Sequence, residues 1–376
     1  MSACPEEPPH PRSSGAPPKP VPAPLPAPEG RAFATQAIAA GRRIATPEGI
    51  DRLEQVDVGG DRQWISIRGR NRANPVLLVV HGGPGTPTMP LAWAFQNTWE
   101  DFFTVVHWEQ RGVGKNDATA DRQALLPTLS LAQIVLDGEA VIDYLCHTLG
   151  KARVAILGFS WGAIVGARLA ERAPGKVSVY AGVGQAVAAA FEPMILAETL
   201  AAAERAGDEQ AVRELRALDL SPGPDGRFPL AQVQALRAVA RRYDGMWYGH
   251  ESLQVMNDLA ALAPEYDERD VAAFQAGAGW IAQGPLAQDL ATMDLRTLQA
   301  LQVPVVVLQG RYDLATPHAA AAAWLAALQA PAKALVTLER SAHFPMFEEP
   351  GRFLQALLQH VLPHTEGSPD FVPLPR

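Results

Sequence analysis

Residues that could carry out nucleophilic catalysis lie at the ends of three apolar runs in the chain. The first is Ser160, within the segment GFSWG at residues 158–162, which has the form G-x-S-x-G. A serine on a tight turn between a strand and a helix presents its Oγ above the sheet, and flanking glycines permit the bend. The N–H groups that begin the following helix would face developing negative charge. We predict that Ser160 is a nucleophile; the alternative is a glycine-rich turn with a bystander serine.

A nucleophilic serine needs a base to take its proton, and the base needs a group that holds its tautomer. The apolar run VPVVVLQG at 303–310 is followed by Asp313, and the run KALVTLE at 333–339 is followed by His343. The chain order of nucleophile, acid and histidine, each on a loop after a strand, is one of the recurring orders of such triads. We therefore predict a triad of Ser160, Asp313 and His343.

Other histidines and carboxylates fit this arrangement less well. Asp313 could instead be a helix N-cap, since Pro317 could begin a helix nearby, and Glu339 is a competing acid at the end of the last strand. A histidine before the nucleophile, on a helix, close to Asp313 or near the C-terminus is in the wrong place for the base. The histidines set aside are His81, His107, His147, His318, His360 and His364.

The elements that must position these residues alternate between strand and helix. Short continuous apolar runs are typical of strands in a parallel sheet covered on both faces. A hairpin at Glu54–Val58 and Gln63–Arg68 precedes them. Helical spacing predicts a helix over 130–149, with Ser130 as its N-cap and Gly150 as its stop. The apolar runs lie at 75–80, 102–108, 153–159, 176–183, 303–310 and 333–339, and further helices are predicted at 163–172, 319–328 and 352–362.

This alternation predicts an α/β fold, in which a mostly parallel, twisted sheet has helices on both faces. Residues 185–284 interrupt the alternation with helical periodicity and no clear strand, so we predict that they form an inserted helical cap. The core then consists of residues 31–184 and residues 285–376. Residues 1–30 contain eleven prolines and are predicted to be a disordered tail.

The composition argues against several classes of protein. The net charge is −8 and Lys and Arg form no run, so a nucleic-acid partner is not expected. No apolar stretch reaches about 18 residues, so no membrane span is predicted. Cys4 and Cys146 predict no structural disulfide, and no metal-ligand spacing of Cys or His occurs in the chain. We expect a small-molecule or short-peptide substrate and no metal, and the oligomeric state is left open.

The N-terminus leaves two cellular locations open. Met-Ser-Ala-Cys at residues 1–4, followed by the proline-rich tether, resembles the end of a bacterial lipoprotein signal. The apolar h-region that such a signal requires is missing from the sequence. We therefore expect either a cytoplasmic protein, or a lipoprotein or periplasmic protein whose signal has been trimmed.

Five motifs, in order along the chain, carry a family resemblance. They are HGGPG at 81–85, WEQRGVGKN at 108–116, GFSWG at 158–162, QGRYD at 309–313 and SAHFPMFEEP at 341–350. Together they resemble the proline iminopeptidase-like branch of the α/β-hydrolases, from about residue 50 to residue 362. The resemblance implies an α/β-hydrolase fold with a helical cap, a serine hydrolase that forms an acyl-enzyme, and no cofactor.

The resemblance also implies roles for residues around the nucleophile. The N–H groups of Gly83 and Trp161 would form the oxyanion hole, whereas Pro84 has no N–H and cannot donate. Arg111 would tie loops together through hydrogen bonds; the alternative is a solvated arginine in a plain turn.

The predicted substrate depends on the cap. Iminopeptidases hold the free amino group of the substrate with cap carboxylates, one of them in a Glu-Asn-His-Tyr-type motif that this sequence lacks. The possible substitutes are Glu192, Glu198, Glu204, Glu251, Asp258 and Glu265. The leading prediction is an aminopeptidase, similar to proline iminopeptidases, that cleaves an N-terminal aminoacyl amide. The alternatives are a carboxylesterase that acts on small esters and, from a different class, a non-catalytic binding module on a hydrolase fold.

Overall fold

A computed structural model of the chain describes residues 28–188, 191–223, 228–250 and 252–369. Its first element is helix α1, Pro28–Gly41, which overlaps the last three residues of the predicted tail. The rest of that tail, with Cys4 and the segment that resembles a lipoprotein signal, lies outside the described residues. Its disorder stays a prediction.

Eight strands form one sheet. They are β1 Ile50–Val58, β2 Asp61–Gly69, β3 Val76–Val80, β4 Thr104–Trp108, β5 Val154–Phe159, β6 Val177–Val183, β7 Val305–Gly310 and β8 Lys333–Leu338. Their order in the sheet is β1-β2-β4-β3-β5-β6-β7-β8. β1 and β2 form the predicted hairpin, β2 also pairs antiparallel with β4, and all other neighbours are parallel. Each predicted apolar run contains one of the strands β3 to β8, and the predicted fold class is confirmed.

Helices follow the strands as the spacing predicted. They are α2 Arg122–Leu125, α3 Leu131–Leu149, α4 Trp161–Arg172, α5 Glu192–Ala206, α6 Glu209–Arg216, α7 Leu230–Arg241, α8 Gln254–Ala261, α9 Glu268–Ala276, α10 Leu286–Thr292, α11 His318–Ala327, α12 Pro345–Glu348 and α13 Pro350–Ala356. Ser130 caps α3 by accepting the Gln133 N–H at 3.1 Å, and Gly150 ends it with a left-handed φ of 64°. The last predicted helix differs, because α13 passes into a π-helical turn at Leu357–Val361.

The sheet separates two apolar clusters, one on each face. Along β3, Leu78 belongs to the cluster that contains Ile164 of α4, while Leu77 and Val79 belong to the cluster that contains Phe353 of α13. This alternation arises because successive side chains of a strand point to opposite faces of the sheet. Burial on both faces explains the continuous apolar runs of β3 to β7, whereas the edge strand β8 is partly exposed. Because these strands are parallel, their C-terminal ends lie at one edge of the sheet.

The region between β6 and β7 consists of helices α5 to α10, and its described residues include no strand. Helices α5, α6 and α7 pack around their own apolar cluster, which includes Ile195, Leu215 and Leu236. Leu314, from the loop after β7, joins this cluster. The helical region therefore packs directly on that loop, and the predicted cap boundaries at 185 and 284 stay predictions.

Two further observations bear on the sequence predictions. Within the described ranges, no single helix is long and apolar enough to cross a membrane, although the bent pair Arg122–Thr128 and Leu131–Leu149 qualifies by length and composition when taken together. Cys146 on α3 is a free thiol.

Candidate active site

Ser160 lies in the turn between β5 and α4, at the C-terminal edge of the sheet. Its backbone has φ 55° and ψ −117°, which is strained for a residue with a side chain. The Ser160 N–H donates to the Val183 carbonyl at 2.9 Å. Gly162 lies so close to the carbonyls of Val80 and His81 that a Cβ there would collide with both. These contacts hold the sharp bend that raises the serine side chain above the sheet.

The Ser160 hydroxyl lies within hydrogen-bond distance of His343 and does not cap the helix that follows it. Its Oγ makes no capping bond to α4 and lies 3.0 Å from Nε2 of His343. Nδ1 of the same ring lies 2.8 Å from Oδ2 of Asp313. A carboxylate only accepts hydrogen bonds, so Nδ1 carries the ring proton and Nε2 is the acceptor for the serine hydroxyl. The three predicted triad residues therefore lie together, in the tautomer that can take a proton from serine.

Aromatic side chains and backbone contacts hold His343 in the loop after β8. Its ring centroid lies 5.1 Å from that of Phe159 and 5.4 Å from that of Phe344. Its backbone N–H donates to the Met246 carbonyl at 3.2 Å. Gly184, with φ 52°, lies beside the ring, and a Cβ there would be 2.9 Å from the ring atoms. The position of the imidazole therefore requires glycine at residue 184.

The buried Asp313 carboxylate divides its hydrogen bonds between two tasks. Oδ1 accepts the N–H groups of Ala315 at 2.9 Å and Thr316 at 2.8 Å, which closes the turn before α11. Oδ2 accepts from the Thr316 hydroxyl at 2.8 Å and the Gln309 amide at 2.9 Å, in addition to His343. The alternative of a helix N-cap is wrong, because Pro317 holds that position before α11 and no side chain caps the helix. Asp313 shapes the preceding turn with one oxygen and faces the histidine with the other.

Four of the residues set aside in the sequence are buried or have other partners. Glu339 is exposed and forms an ion pair with Arg311, with N–O distances of 2.9 and 2.7 Å. Burial lowers the pKa of His81 to about 4 and the pKa of His107 to about 3, so both are neutral at neutral pH. His318 lies 2.9 Å from the Thr337 hydroxyl.

The two predicted oxyanion-hole residues lie on segments that adjoin the nucleophile. Gly83 follows β3, and its peptide bond to Pro84 is cis. The neighbouring Gly82 approaches the nucleophile closely, since a Cβ on it would lie 3.1 Å from Cβ of Ser160. Trp161 is the first residue of α4, where an N–H has no acceptor within the helix. Both N–H groups are available by position, and their role stays a prediction.

A buried network joins the segments that surround the nucleophile. The Gln110 N–H donates to Nε2 of His81 at 3.1 Å, so the His81 proton lies on Nδ1, 2.9 Å from the Gly82 carbonyl. Trp161 Nε1 donates to the Gln110 side chain at 3.1 Å. The partners that the sequence analysis missed are Gln110, Gln309 and Thr316. Both glutamines lie inside the quoted motifs, but an amide has no chemistry of its own that would single it out.

Arg111 is a buried structural link. Its Nε and Nη2 donate to the two oxygens of Asp137 at 2.9 Å each, and Nη2 also donates to the Gly59 carbonyl at 3.1 Å. The residue therefore ties the loop after β4 to α3 and to the hairpin turn. The alternative of a solvated arginine is wrong, because bidentate pairing with a buried carboxylate holds the guanidinium inside.

Among the cap carboxylates, Glu198 on α5 is electrostatically coupled to the site. It is half-buried; burial raises its pKa, and the negative charge of Asp313 raises it further. No hydrogen bond or ion pair of Glu198 is found within the described part of the chain. The other described candidates have partners: Glu192 with Arg237, Glu204 with Arg216, Asp258 with Gln254, and Glu265 with Arg42. Glu251 lies outside the described residues.

Metal binding has no support within the described ranges, where no group of three or more His, Cys, Asp or Glu side chains could hold an ion. The expectation of no metal and no cofactor stays a prediction.

The chain belongs to the α/β hydrolase fold family, whose sequence profile matches residues 75–350. It is a hydrolase-fold enzyme. Over 324 residues it is 26% identical to a protein named probable aminopeptidase YbaC from Bacillus subtilis, covering 85% of this chain and 99% of that protein. Over 218 residues it is 25% identical to a probable proline iminopeptidase from Streptomyces coelicolor, covering 56% of this chain and 64% of the relative.

Solved structures share the fold. The proline iminopeptidase of Mycobacterium smegmatis superimposes with a TM-score of 0.58 at 20% identity, covering 83% of this chain and 98% of that one. The resemblance to the proline iminopeptidase-like branch, predicted from the five motifs, is confirmed by these comparisons.

Proposed function

We propose that this chain is a serine hydrolase that cleaves its substrate through an acyl-enzyme intermediate. The observation that carries the proposal is the pair of hydrogen bonds from Ser160 to His343 at 3.0 Å and from His343 to Asp313 at 2.8 Å. They occur at a serine with a positive φ, at the C-terminal edge of a parallel sheet. A nucleophile, a base and an orienting acid within hydrogen-bond distance are what acyl transfer to serine requires.

In the first half-reaction, Ser160 Oγ attacks the substrate carbonyl carbon while Nε2 of His343 accepts the hydroxyl proton. Asp313 accepts the Nδ1–H and stabilises the imidazolium. The carbonyl oxygen becomes an oxyanion, which the N–H groups of Gly83 and Trp161 stabilise. The intermediate then collapses, the bond to the leaving group breaks, and Nε2 returns the proton to the departing amine or alcohol.

In the second half-reaction, water replaces the leaving group. Nε2 of His343 takes a proton from the water as its oxygen adds to the acyl carbon. The bond to Ser160 Oγ breaks, and Nε2 gives the proton back to that oxygen. The products are a carboxylic acid and the free enzyme, so protons and electrons balance without a cofactor.

We propose an N-terminal aminoacyl amide as the substrate. The similarity to aminopeptidases supports this substrate class, and so does Glu198. A half-buried carboxylate that is coupled to Asp313, with no cation paired to it among the described residues, would gain a counter-charge from a substrate ammonium. An ester substrate without a free amine would leave that carboxylate without a counter-charge.

The substrate class is tested with three chromogenic substrates: an aminoacyl nitroanilide, the same compound with an acetylated amine, and a nitrophenyl ester. We expect hydrolysis of the first and loss of activity on acetylation. Ser160→Ala should abolish turnover. A preference for the ester that ignores the amine would establish a carboxylesterase, and no labelling of wild type by a fluorophosphonate would favour a binding module.

Glu198→Gln tests the amine contact, with Glu204→Gln on the same helix as the matched control. Loss of a hydrogen bond between charged groups costs about 1.5–3 kcal/mol, so kcat/KM for the free-amine substrate should fall by about 10-fold or more. The control should retain wild-type kinetics, because Glu204 pairs with Arg216 at the surface. Equal kinetics for wild type and Glu198→Gln would remove this carboxylate from the proposal.

A further inference from the structure

One segment of the cap crosses the two loops that carry Asp313 and His343. It consists of residues 244–249, between α7 and α8, and we call it the strap. Asp244 begins the strap with a positive φ of 61°, and its Oδ1 accepts the Gly249 N–H at 2.9 Å. The hydrogen bond between its two ends gives the strap a closed, defined shape.

Two consecutive carbonyls of the strap are bonded to the two loops. The Gly245 carbonyl accepts the Leu314 N–H at 2.8 Å, and Leu314 is the residue after Asp313. The Met246 carbonyl accepts the N–H of His343 itself at 3.2 Å. The strap therefore sets the spacing between the loop of the acid and the loop of the base.

Glu348 fastens the strap to the histidine loop. Its Oε1 accepts the Tyr248 N–H at 2.6 Å, and its Oε2 accepts the Ala342 N–H at 2.9 Å. Ala342 is the residue before His343, so one carboxylate joins the strap to the backbone beside the base. Both bonds need the ionised form of the carboxyl group, and burial raises the pKa of Glu348 to about 7.

Arg237 on α7 fastens the cap to the acid loop in the same manner. Its Nη1 donates to the carbonyls of Leu314 at 2.9 Å and Ala315 at 3.0 Å, and its Nη2 lies 3.3 Å from Oε1 of Glu192. Those carbonyls belong to the turn that Asp313 closes with its Oδ1. A cationic side chain from the cap thus binds two carbonyl oxygens of the acid loop.

We propose that the cap clamps the acid and histidine loops through Arg237 and Glu348, and that the clamp is needed for the reactivity of Ser160 itself. Both are positioning residues, which act through the backbone beside Asp313 and His343. A cap that served only to bind substrate would need no bonds to these loops. The inference rests on the proposed function, because it concerns proton transfer between Ser160 and His343.

The clamp is tested with two variants that keep the approximate size of the side chain. Arg237→Met removes all the hydrogen bonds of the guanidinium, and Glu348→Gln leaves one acceptor oxygen, so that only one of the N–H groups of Tyr248 and Ala342 keeps its partner. The matched controls are Arg242→Met, whose side chain pairs with Glu214 at the surface, and Glu339→Gln. The measurement is the second-order rate of phosphonylation of Ser160 by a small fluorophosphonate that does not use the substrate contacts of the cap. Active-site titration counts only molecules that react, so partial unfolding of a variant does not alter the rate constant.

A displacement of about 1 Å at a reacting group lowers the rate about 100-fold. A loop that loses one of several hydrogen-bonded links should move by less than about 1 Å. We therefore expect each clamp variant to be phosphonylated about tenfold more slowly, with kcat lowered by a similar factor and KM within about twofold of wild type. The controls should react at the wild-type rate. Clamp variants that react at the wild-type rate, with only KM raised, would overturn the clamp alone. A wild-type protein that is not labelled at Ser160 would overturn the proposed function and the clamp with it.

Discussion

Replacing Asp313 with asparagine should remove nearly all activity, because the structure decides which way the amide turns. Oδ1 accepts two backbone N–H groups, from Ala315 and Thr316. Oδ2 faces the Thr316 hydroxyl, the Gln309 amide and the His343 ring. A backbone N–H cannot turn away, whereas a hydroxyl can rotate and an imidazole can change tautomer. The Gln309 NH2 group can do neither, but it keeps the Thr316 carbonyl as an acceptor at 2.7 Å. The asparagine oxygen should therefore replace Oδ1, and its NH2 group should replace Oδ2.

The magnitude follows from the tautomer that this amide imposes. An NH2 group facing Nδ1 of His343 makes that nitrogen an acceptor, so the ring proton moves to Nε2. Nε2 then cannot take the proton of Ser160. The wrong tautomer at an equivalent serine–histidine pair lowers kcat about 10⁴-fold, which is about 5.4 kcal/mol in activation free energy. The lost hydrogen bonds should lower the free energy of unfolding by only about 1–3 kcal/mol, so the fold persists.

The assay compares kcat/KM and the phosphonylation rate of wild type, Asp313→Asn and Glu339→Gln, with thermal unfolding followed by circular dichroism. Glu339→Gln changes a carboxylate at the end of the next strand that pairs only with Arg311 among the described residues, and it should retain wild-type activity. A folded Asp313→Asn enzyme with activity within about tenfold of wild type would refute the tautomer argument. Loss of activity in Glu339→Gln alone would transfer the role of the acid to that residue.

Three further predictions concern the surroundings of the site. Gly184→Ala should lower kcat by at least about tenfold, because the new methyl group would lie against the His343 ring. Steady-state kinetics tests this, with circular dichroism to show that the variant is folded. An unchanged kcat would contradict it. Arg111→Met should lower the free energy of unfolding, measured in urea, by about 3–5 kcal/mol, because it leaves Asp137 buried without its cation. A loss below about 1 kcal/mol would contradict a stabilising role of this buried ion pair. Burial raises the pKa of Glu109 from an ordinary 4.5 to about 8. Between these pH values the folded state holds one proton more than the unfolded state, so the free energy of unfolding falls as the pH rises through this range. Glu109→Gln should therefore lose less Tm than wild type from about pH 5 to about pH 9, and parallel Tm profiles would refute the shift.

The sheet could be predicted because its central strands are buried on both faces. Such strands must be continuous apolar runs, and five of the six runs contain the buried strands β3 to β7. The sixth run contains β8, which is partly exposed at the edge of the sheet. Parallel pairing then brings the C-terminal ends of these strands to one edge. That rule alone was enough to expect Ser160, Asp313 and His343 near one another, although they lie up to 183 residues apart.

The polar partners could not be read in the same way. Gln309 and Thr316 bond to Asp313 only after the loop between β7 and α11 has closed. His81 and His107 could be set aside by their place in the chain order, but only the structure shows the burial that lowers their pKa. In each case the chemistry of a side chain depends on groups that the chain brings to it from a distance.

The cap shows most clearly what depends on the sequence and what depends on the tertiary structure. Its carboxylates are alike in sequence, because a charge on an amphipathic helix usually faces solvent. Only the packing of the cap on the loop after β7 couples Glu198 to Asp313 and brings Arg237 to the acid loop. The sequence by itself determined the strands and the order of nucleophile, acid and base, since both follow from local pattern and strand direction. The tertiary structure alone decided the histidine tautomer, the burial of polar side chains and the contacts between cap and core, because these depend on distances between segments that no local pattern contains.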